Sequence, residues 1–521
     1  MKIPPERTES DRRGVLGVLR RWCGPIRNES TRFQNQVRKI FHQPWLLLEE
    51  RARWRTQLSA KRATGRIWQQ IATANKAKLP MTHELKRWLC VCLATLALGC
   101  GRPRGAPLPP TPEVRAAEPL AADAVADIVH SADEWPGWRG PRQDGVATGP
   151  AVPWQWSETK NVIWSAPLPG RGHSSPIVVG DLVVLQSAIE APSFSQLVLA
   201  LDRTTGTEVW KKTLFEGGAE AEVHKENTQA SSTLAFDGQR LFATFLNNRK
   251  IWVVALDLKG EELWRRELGG FSSKFGYSAS PAVHGPLVLV AADHQQGGWL
   301  AGLRRDTGEV VWRRNRAAKS SYASPRVISL AGKDHLVICG CNVVASFDPL
   351  TGEPIWETPG SAEAGVGTLV TSDGIVFASA GYPERETLGV KADGTVAWRN
   401  KTRAYCPSLL AWEGHLYQLD DDGIVRCFEA ATGKERWTQR LGGRFRTSPI
   451  LLAGHILVTD MSGKSTVFQA QPEKFELVAE NQLGAEGFAS PAISRGRLFL
   501  RTAAGEGTAR RETLYCIGAQ E

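Results

Sequence analysis

The chain has few cysteines for its length, and none of them forms a pattern that builds a fold. Nine occur in 521 residues, at positions 23, 90, 92, 100, 339, 341, 406, 427 and 516. Cys339 and Cys341 are two residues apart in a predicted strand, where neighbours on one face rarely have disulfide geometry. The doubled CxxC spacing of a zinc site is also missing from the sequence. We therefore predict buried free thiols, and neither a disulfide-built nor a zinc-built fold.

The apolar run at residues 88–99 is too short to be a transmembrane helix, because a helix needs about 20 residues to cross a bilayer. It follows the positive pair Lys86 and Arg87 and ends in Ala-Leu-Gly before Cys100. This order is typical of a secretory signal peptide. The ending resembles a bacterial lipobox, which implies a signal peptide over 81–100 and a lipid attached to Cys100. We expect the mature protein to be exported, periplasmic or in the cell envelope, and anchored to a membrane.

Positive charge is concentrated before this segment and is missing after it. Residues 1–80 hold 18 Lys and Arg against 6 Asp and Glu, whereas the rest of the chain holds 46 against 48. The bulk of the protein therefore lacks the basic surface of a nucleic-acid-binding protein. We interpret Met81 as the true start and 1–80 as a leader that is not part of the mature protein. The alternative is a basic cytosolic N-terminal domain.

Catalytic motifs with a defined mechanism are also missing. The sequence contains no GxSxG elbow, HExxH helix or phosphate-binding loop, so hydrolase and nucleotide chemistry have no support. Asp293 and His294 form the one local acid–base pair, which we interpret as a surface turn.

Residues 101–134 are rich in Pro and Ala, which predicts an extended tether before a folded body that begins near Trp135. One hairpin motif then recurs in that body, first as LALDRTTGTEVW at 199–210. Its Asp can cap the turn, its Gly permits the positive φ that ends the turn, and its aromatic residue covers the neighbouring sheet. The repeated aromatic residues, which we interpret as structural, are Trp164, Trp210, Trp264, Trp312, Trp356, Trp398 and Trp437.

A second motif alternates with the first and occurs eight times. It is a Ser-Pro or similar pair followed by a short apolar hairpin, as in HSSPIVVGDLVVL at 173–185. Together the two hairpins make four strands in about 40 to 50 residues, which is the period of a β-propeller blade. The eighth outer hairpin is degenerate, with Phe475 near the place where Trp is due. We predict an all-β, eight-bladed β-propeller of four-stranded blades over 135–521.

The ends of this region predict how the ring closes. The segment NVIWSAPLPG at 161–170 has no partner hairpin before it, and the chain ends in the lone strand LYCIG at 514–518. Pairing of the N- and C-terminal strands in the last blade would close the ring and protect its edges.

The hairpin consensus, Leu-Asp-x-x-Thr-Gly-x-x-x-Trp, resembles the repeat of the pyrroloquinoline quinone (PQQ) propellers. This family includes quinoprotein alcohol dehydrogenases and the eight-bladed lipoprotein that assists outer-membrane protein assembly. The stretches WPGWRGPRQDG and FSSKFGYSASP are most similar to the single-propeller PQQ-like proteins of planctomycete-type bacteria. The resemblance covers 135–518 and implies the fold more specifically than an activity.

The sequence departs from the enzymes of this family. They carry a vicinal disulfide from adjacent cysteines and a Glu/Asn/Asp set for Ca²⁺, but this sequence has no Cys-Cys dipeptide. We can assign no calcium set by motif, and the long insertions that build the enzymes' cofactor chamber are missing. We predict no catalytic residues, no metal and no cofactor.

The variable loops before the inner strands are the candidate binding face, because repeat proteins usually build their sites there. Most blades place a cation in these loops, which favours an anionic ligand. The alternative is that these charges are solvated or paired with nearby carboxylates. The candidate ligand-binding residues are His173, Lys225, Asn227, Lys274, Tyr277, Lys319, Tyr322, Arg403, Tyr405, Arg444 and Arg446.

Two functions follow from these observations. The first is a non-catalytic binding or scaffold module for an envelope protein, or for an anionic small molecule or polymer. The rival is an oxidoreductase that uses PQQ and Ca²⁺ to oxidise alcohols or sugars. Carbohydrate recognition by Trp and Tyr residues of the channel is a third possibility.

Overall fold

The computed structural model describes residues 128, 130, 131, 133–221 and 223–519. The predicted leader, the signal peptide with Cys100 and nearly all of the tether lie outside these residues. The described residues form eight four-stranded antiparallel sheets, the blades of an eight-bladed β-propeller. The predicted fold class is therefore confirmed. Within the described residues, no helix is long and apolar enough to cross a membrane.

Blades 1 to 4 follow one another along the chain, each running from the inner strand to the outer strand. Their strands are β2 (Ile177–Val179), β3 (Leu182–Ile189), β4 (Ser195–Asp202), β5 (Glu208–Glu216), β6 (Ala235–Phe236), β7 (Leu241–Asn247), β8 (Lys250–Leu256), β9 (Glu262–Gly270), β10 (Ala282–His284), β11 (Leu287–Ala292), β12 (Trp299–Arg304), β13 (Val310–Asn315), β14 (Arg326–Leu330), β15 (Lys333–Gly340), β16 (Val343–Phe347) and β17 (Pro354–Pro359).

Blades 5 to 7 repeat this order, and blade 8 combines three late strands with the first strand of the chain. Their strands are β18 (Val370–Ser372), β19 (Ile375–Ala380), β20 (Glu386–Lys391), β21 (Val396–Asn400), β22 (Leu410–Trp412), β23 (His415–Leu419), β24 (Ile424–Glu429), β25 (Glu435–Arg440), β26 (Ile450–Leu452), β27 (His455–Thr459), β28 (Lys464–Gln469), β29 (Leu477–Gln482), β30 (Ala492–Ser494), β31 (Arg497–Ala504), β32 (Arg511–Ile517) and β1 (Val162–Leu168). A short 3₁₀ turn, Gly507–Ala509, joins β31 to β32.

The ring is closed as the sequence predicts. Strand β1 pairs antiparallel with β32, and the register runs from Val162 opposite Ile517 to Leu168 opposite Glu512. Beyond the strand, the Gly518 amide donates to the Asn161 carbonyl at 3.0 Å. The first and last strands of the propeller therefore share one sheet, which leaves no open seam in the ring.

The repeated Trp residues dock each blade onto the next. The indole N–H of Trp312 in blade 3 donates to the Pro349 carbonyl in the Thr-Gly turn of blade 4 at 3.1 Å. The glycine of that turn, Gly352, has a φ of +69°, and a Cβ built on it would lie 2.5 Å from the Trp312 ring. Equivalent indole-to-turn hydrogen bonds are made by Trp164, Trp210, Trp264, Trp398 and Trp437. These Trp residues therefore pack between neighbouring blades.

Blade 7 departs from this pattern, at the hairpin that the sequence shows to be degenerate. The position that pairs like the Trp of other blades is Ala479, which lies opposite Val467. Phe475, the residue expected near that place, lies before β29 and packs edge-on against Trp437 of blade 6 at 5.9 Å between ring centroids. The turn after β28 places Phe475 four residues before the docking position, where it packs on the preceding blade and does not replace the missing Trp.

The apolar core consists of clusters that extend between adjacent sheets. The cluster around Trp312, for example, joins residues of β11, β15 and β19, which belong to three successive blades. Among the described cysteines, Cys339, Cys341, Cys427 and Cys516 are buried free thiols, and Cys406 is a half-buried free thiol. Burial raises the pKa of Cys339 to about 11, which makes it a poor nucleophile.

Candidate binding site

A ring of hydroxyl groups surrounds the central channel. It is built from the residue two positions before each inner strand, which is the Ser of the Ser-Pro motif or its counterpart: Ser175, Thr233, Ser280, Ser324, Thr368, Ser408, Ser448 and Ser490. In six of the eight steps around the ring, the hydroxyl accepts the backbone N–H of the preceding member at 2.8–3.1 Å. The second repeat therefore joins neighbouring blades at the axis, as the Trp repeat does further out.

The segment 135–147 crosses the channel at this level and closes it. Its first residue, Trp135, pairs with Val178 of blade 1, and Val146 forms a parallel bridge to Leu451 of blade 7. Between them, the Trp138 indole donates to the Thr368 hydroxyl of blade 5 at 2.8 Å. We call segment 135–147 the plug.

The plug is held by buried cationic side chains as well as by backbone pairing. Arg139 is 2% exposed, and its guanidinium donates to the Leu409 carbonyl at 2.7 Å and to the Pro449 carbonyl at 3.3 Å. Burial lowers the pKa of Arg139 to about 9. Because carbonyls of two different blades hold this side chain, the plug is an integral part of the ring.

Above the plug, the channel opens into a cavity of about 430 Å³. Trp138 and the hydroxyl-ring residues Ser175, Ser280 and Ser324 line it together with the loops that precede the inner strands. We call the end of the propeller that carries these loops the loop face, and the opposite end, which carries the Thr-Gly turns, the turn face. Seven of the eleven predicted ligand-binding residues line the cavity: His173, Lys225, Asn227, Tyr322, Tyr405, Arg444 and Arg446.

Several aromatic side chains line the walls of the cavity. The imidazole of His173 stacks on Phe488, with 4.2 Å between centroids and 3° between planes. On another wall, Phe275 packs against His224 at 4.9 Å and edge-on against Tyr322 at 5.9 Å. The pKa of His173 lies well below its usual value of 6.5, mainly because the ring is buried. The positive charges of Arg171, Arg501 and Arg510 lower it further. The His173 ring is therefore neutral at physiological pH.

Two arginines from one loop meet a carboxylate from a distant loop at the rim. Arg446 donates to Glu226 Oε2 through Nε at 3.0 Å and through Nη2 at 2.7 Å, and Arg444 Nη1 lies 3.2 Å from Glu226 Oε1. Arg446 also donates to Asp421 Oδ1 at 3.0 Å. Burial opposes ionisation of Glu226, but its contacts with Arg446 and Arg444 outweigh burial, so the pKa of its carboxyl lies below the usual value.

The excess of positive charge expected at the mouth is therefore small. Among the described residues at the rim, three cations (Lys225, Arg444 and Arg446) are accompanied by two carboxylates (Glu226 and Asp421). Lys225 is exposed, and the arginines are paired.

Two other predicted cations lie outside the cavity. Arg403 forms an ion pair with Asp422 at 3.1 Å. Lys319 is half-buried, and its carbonyl accepts a hydrogen bond from the Cys341 thiol at 3.6 Å.

The remaining two predicted residues, Lys274 and Tyr277, are separated from the cavity by a sharp turn. Gly276, with a φ of +78°, reverses the chain between them. The ammonium of Lys274 lies 5.6 Å from the Phe275 ring centroid on the outside. Tyr277 is 6% exposed and donates to the Ala291 carbonyl at 3.1 Å, so it belongs to the packing between blades 2 and 3.

The acid–base pair singled out in the sequence is buried. Asp293 and His294 are 4% and 3% exposed, so the interpretation as a surface turn was wrong. Asp293 accepts hydrogen bonds from the buried Arg316 at 2.7 and 3.2 Å, and His294 packs edge-on against Phe271 at 5.2 Å. A charged Asp is usually exposed, which is why the sequence indicated a surface turn. Here the ion pair with Arg316 allows Asp293 to be buried.

The oxygen ligands around the cavity do not fit a calcium ion. Glu226 is neutralised by two arginines, and Asp421 accepts from Arg446 and from the backbone amides of Tyr405 and Cys406. In the part of the chain that the structure describes, no three His, Cys, Asp or Glu side chains are grouped so that they could hold a metal. The residues present therefore do not form the calcium set of a quinoprotein enzyme.

Sequence comparison relates the chain to outer-membrane assembly factors. The family model described as "Outer membrane protein assembly factor BamB" matches residues 194–390 and 385–513. A protein of that name from Burkholderia pseudomallei is 26% identical over 316 residues, which cover 58% of this chain and 75% of that protein.

Solved structures share the fold. BamB from Moraxella catarrhalis has a TM-score of 0.50 and 18% identity, covering 68% of this chain and 99% of that one. The quinohemoprotein alcohol dehydrogenase from Comamonas testosteroni has a TM-score of 0.55 and 12% identity, covering 75% and 81%. These structures extend the resemblance to PQQ-type propellers, and the sequence match is more specific. The chain belongs to the family described as outer membrane protein assembly factor BamB.

Proposed function

We propose that this protein is a non-catalytic scaffold of the cell envelope, exported by its signal peptide and anchored through a lipid on Cys100. Its loop face binds an envelope protein or an anionic ligand. The relatives are named for outer-membrane protein assembly, and we propose that this chain serves the same process.

The observation that carries this proposal is the cavity on the loop face. It is about 430 Å³ in volume, within the range of about 300–1,000 Å³ that is usual for ligand sites. Its lining comes from loops that differ between blades, whereas the turn face is built from the repeated, structural motif. Aromatic and arginine side chains of the kind found here are enriched in protein interfaces.

An exposed aromatic residue beside the cavity gives a position from which to test the proposal. Tyr382 lies in the loop between β19 and β20 and is 62% exposed. The Cβ of Tyr405, a cavity residue, lies close to the adjacent Gly381, which places this loop on the loop face. Val209, at the start of β5 beside a Thr-Gly turn, is 53% exposed on the opposite end and serves as the control.

The experiment places a photo-cross-linking amino acid at Tyr382 or Val209 in the full-length protein, in cells. We expect cross-links to outer-membrane proteins or their assembly partners from position 382 and none from position 209. Cross-links only from 209, or from neither position, would contradict the proposal. Fractionation of a Cys100→Ser variant tests the anchor, since we expect it to move from the membrane to the soluble fraction.

The oxidoreductase alternative is tested directly. An optical titration with PQQ and Ca²⁺ is followed by a dye-reduction assay on alcohols and aldoses. We expect no turnover of any of these substrates, and stoichiometric PQQ binding together with turnover would replace the scaffold proposal with the enzyme.

A further inference from the structure

Glu226 and the two rim arginines join parts of the chain that are 218 and 220 residues apart. Glu226 comes from the loop between blades 1 and 2, whereas Arg444 and Arg446 precede blade 7. The Glu226 side chain is 17% exposed, and the hydrogen bonds and ion pairs of its carboxylate are to these arginines. The contact therefore holds a loop across the mouth of the cavity by charge.

The second carboxylate at the rim is fixed in place. Asp421 accepts the backbone amides of Tyr405 at 2.8 Å and Cys406 at 3.2 Å as well as Arg446. Glu226 has no comparable backbone support for its carboxylate among the described residues. If Glu226 leaves, Asp421 still neutralises Arg446, and Arg444 has lost its ion-pair partner. A ligand carboxylate that then binds Arg444 would replace the negative charge of Glu226, so the number of paired charges at the rim would stay the same.

The space behind the arginines is suited to a flat apolar group. Phe275, Tyr322 and the stacked His173–Phe488 pair line the cavity. Since the plug closes the channel below, with Trp138 at the floor, a ligand can enter from the loop face and cannot pass through. A single side chain, a chain end or a small molecule satisfies this limit, whereas a threaded polypeptide does not.

We infer that Arg444 and Arg446 form a carboxylate-binding subsite, that Glu226 occupies it in the free protein, and that the ligand carries an aromatic group next to a carboxylate. This inference rests on the proposed binding function of the loop face and specifies its chemistry. The ligand's carboxylate displaces Glu226 from Arg444, and its ring enters the aromatic cavity.

The test is calorimetric titration of the full-length protein with 2-naphthoate and with its uncharged analogue 2-naphthamide. We expect the wild type to bind the carboxylate more tightly than the amide. Glu226→Gln removes the internal competitor and should strengthen 2-naphthoate binding roughly fivefold, the worth of a partly exposed ion pair, without changing the amide. Arg444→Gln should weaken 2-naphthoate binding by about the same factor.

The matched control is Glu261→Gln. Glu261 pairs with Lys212 at 3.2 Å in the Thr-Gly-type turn of blade 2, so this variant also breaks a surface ion pair and changes the net charge equally, but on the turn face. We expect it to leave both affinities unchanged. Three results would overturn the inference. The first is that the wild type and Glu226→Gln bind 2-naphthoate equally well, and the second is that Glu261→Gln strengthens binding as much as Glu226→Gln does. The third is that none of the four proteins binds 2-naphthoate.

A peptide arm distinguishes the source of the ligand. Acetyl-Gly-Phe-Glu-Gly-amide carries an aromatic group next to a carboxylate on a polypeptide. If this peptide binds more tightly than 2-naphthoate, the subsite is assigned to a protein partner. If it binds more weakly, the subsite is assigned to a small molecule. The proposed function is tested separately: if 2-naphthoate gives no signal while cross-links from position 382 persist, only the carboxylate subsite is rejected.

Discussion

Two glycines with nearly the same backbone conformation should differ in how well they tolerate alanine. Gly352 and Gly414 have φ values of +69° and +70°. A Cβ on Gly352 would lie 2.5 Å from the Trp312 ring, whereas a Cβ on Gly414 would meet nothing within 4 Å. Replacing each with Ala therefore imposes the same left-handed backbone penalty, and only Gly352→Ala adds a collision with Trp312.

The magnitudes follow from these geometries. A non-glycine residue in the left-handed region costs about 1–2 kcal/mol, which is our expectation for Gly414→Ala. Trp312 cannot move away freely, because it is 6% exposed and a Cβ on Gly302, on its other side, would lie only 2.5 Å from its indole nitrogen. Forced overpacking adds about 1–3 kcal/mol, so we expect Gly352→Ala to lose about 2–5 kcal/mol of unfolding free energy.

Urea denaturation followed by far-UV circular dichroism measures both losses. A double-mutant cycle with Trp312→Ala isolates the collision, because Gly352→Ala should then cost no more than Gly414→Ala. Equal losses for the two glycine variants in the wild-type background would refute the docking of the Thr-Gly turn onto Trp312 as the reason for the repeat.

Three further changes test other parts of the molecule by the same denaturation assay. Trp312→Ala alone should cost about 3–5 kcal/mol, since it empties a buried site and removes the hydrogen bond to the next blade; a loss below about 1 kcal/mol would contradict the burial. Because the folded protein holds the pKa of His173 well below 6.5, the unfolded chain takes up a proton that the folded chain does not, and stability should fall as pH drops below 6.5. His173→Phe should recover roughly 1 kcal/mol of the loss between about pH 7.5 and 5.5, and an unchanged pH profile would exclude His173 as its source. Arg501→Met removes the buried partner of Glu512 and leaves this carboxylate with its ion pair to Arg510 at 3.0 Å, so we expect a loss of about 1.5–3 kcal/mol. The Arg501→Met/Glu512→Met double variant should be more stable than the single one.

The sequence predicted the number of blades and the closure of the ring because both depend on a repeated local pattern. Each Thr-Gly turn and each Trp has the same physical task in successive blades, so counting the copies was sufficient. The exception is Ala479, which takes the place of Trp in a blade that has lost the motif and is identified only by its pairing with Val467. The hydroxyl ring was visible as the Ser-Pro repeat, but its role depends on hydrogen bonds between blades, which the sequence of one blade does not contain.

The sequence predicted only some of the residues that line the cavity, and whether they bind a ligand stays a prediction. Positions just before the inner strands do line the cavity, as Tyr322 and Tyr405 show, but a single turn at Gly276 removed Lys274 and Tyr277 from it. The pairing of Glu226 with Arg446 joins positions 220 residues apart and could not be read from neighbouring residues. The plug was present as WPGWRGPRQDG, but only the closed ring shows that it crosses the channel.

The plug also constrains the order in which the protein can be assembled. Segment 135–147 is the first part of the described propeller to be synthesised. Trp135 pairs with Val178 of blade 1, but Trp138, Arg139 and Val146 are held by blades 5, 6 and 7, as far along the chain as Leu451. The part of the plug from Trp138 onward therefore lacks these partners until most of the ring has been made. Contacts of such long sequence separation are slow to form. A chain of this design leaves the Trp138 indole without its partner until blade 5 has formed, so the loop-face cavity acquires its floor late in folding.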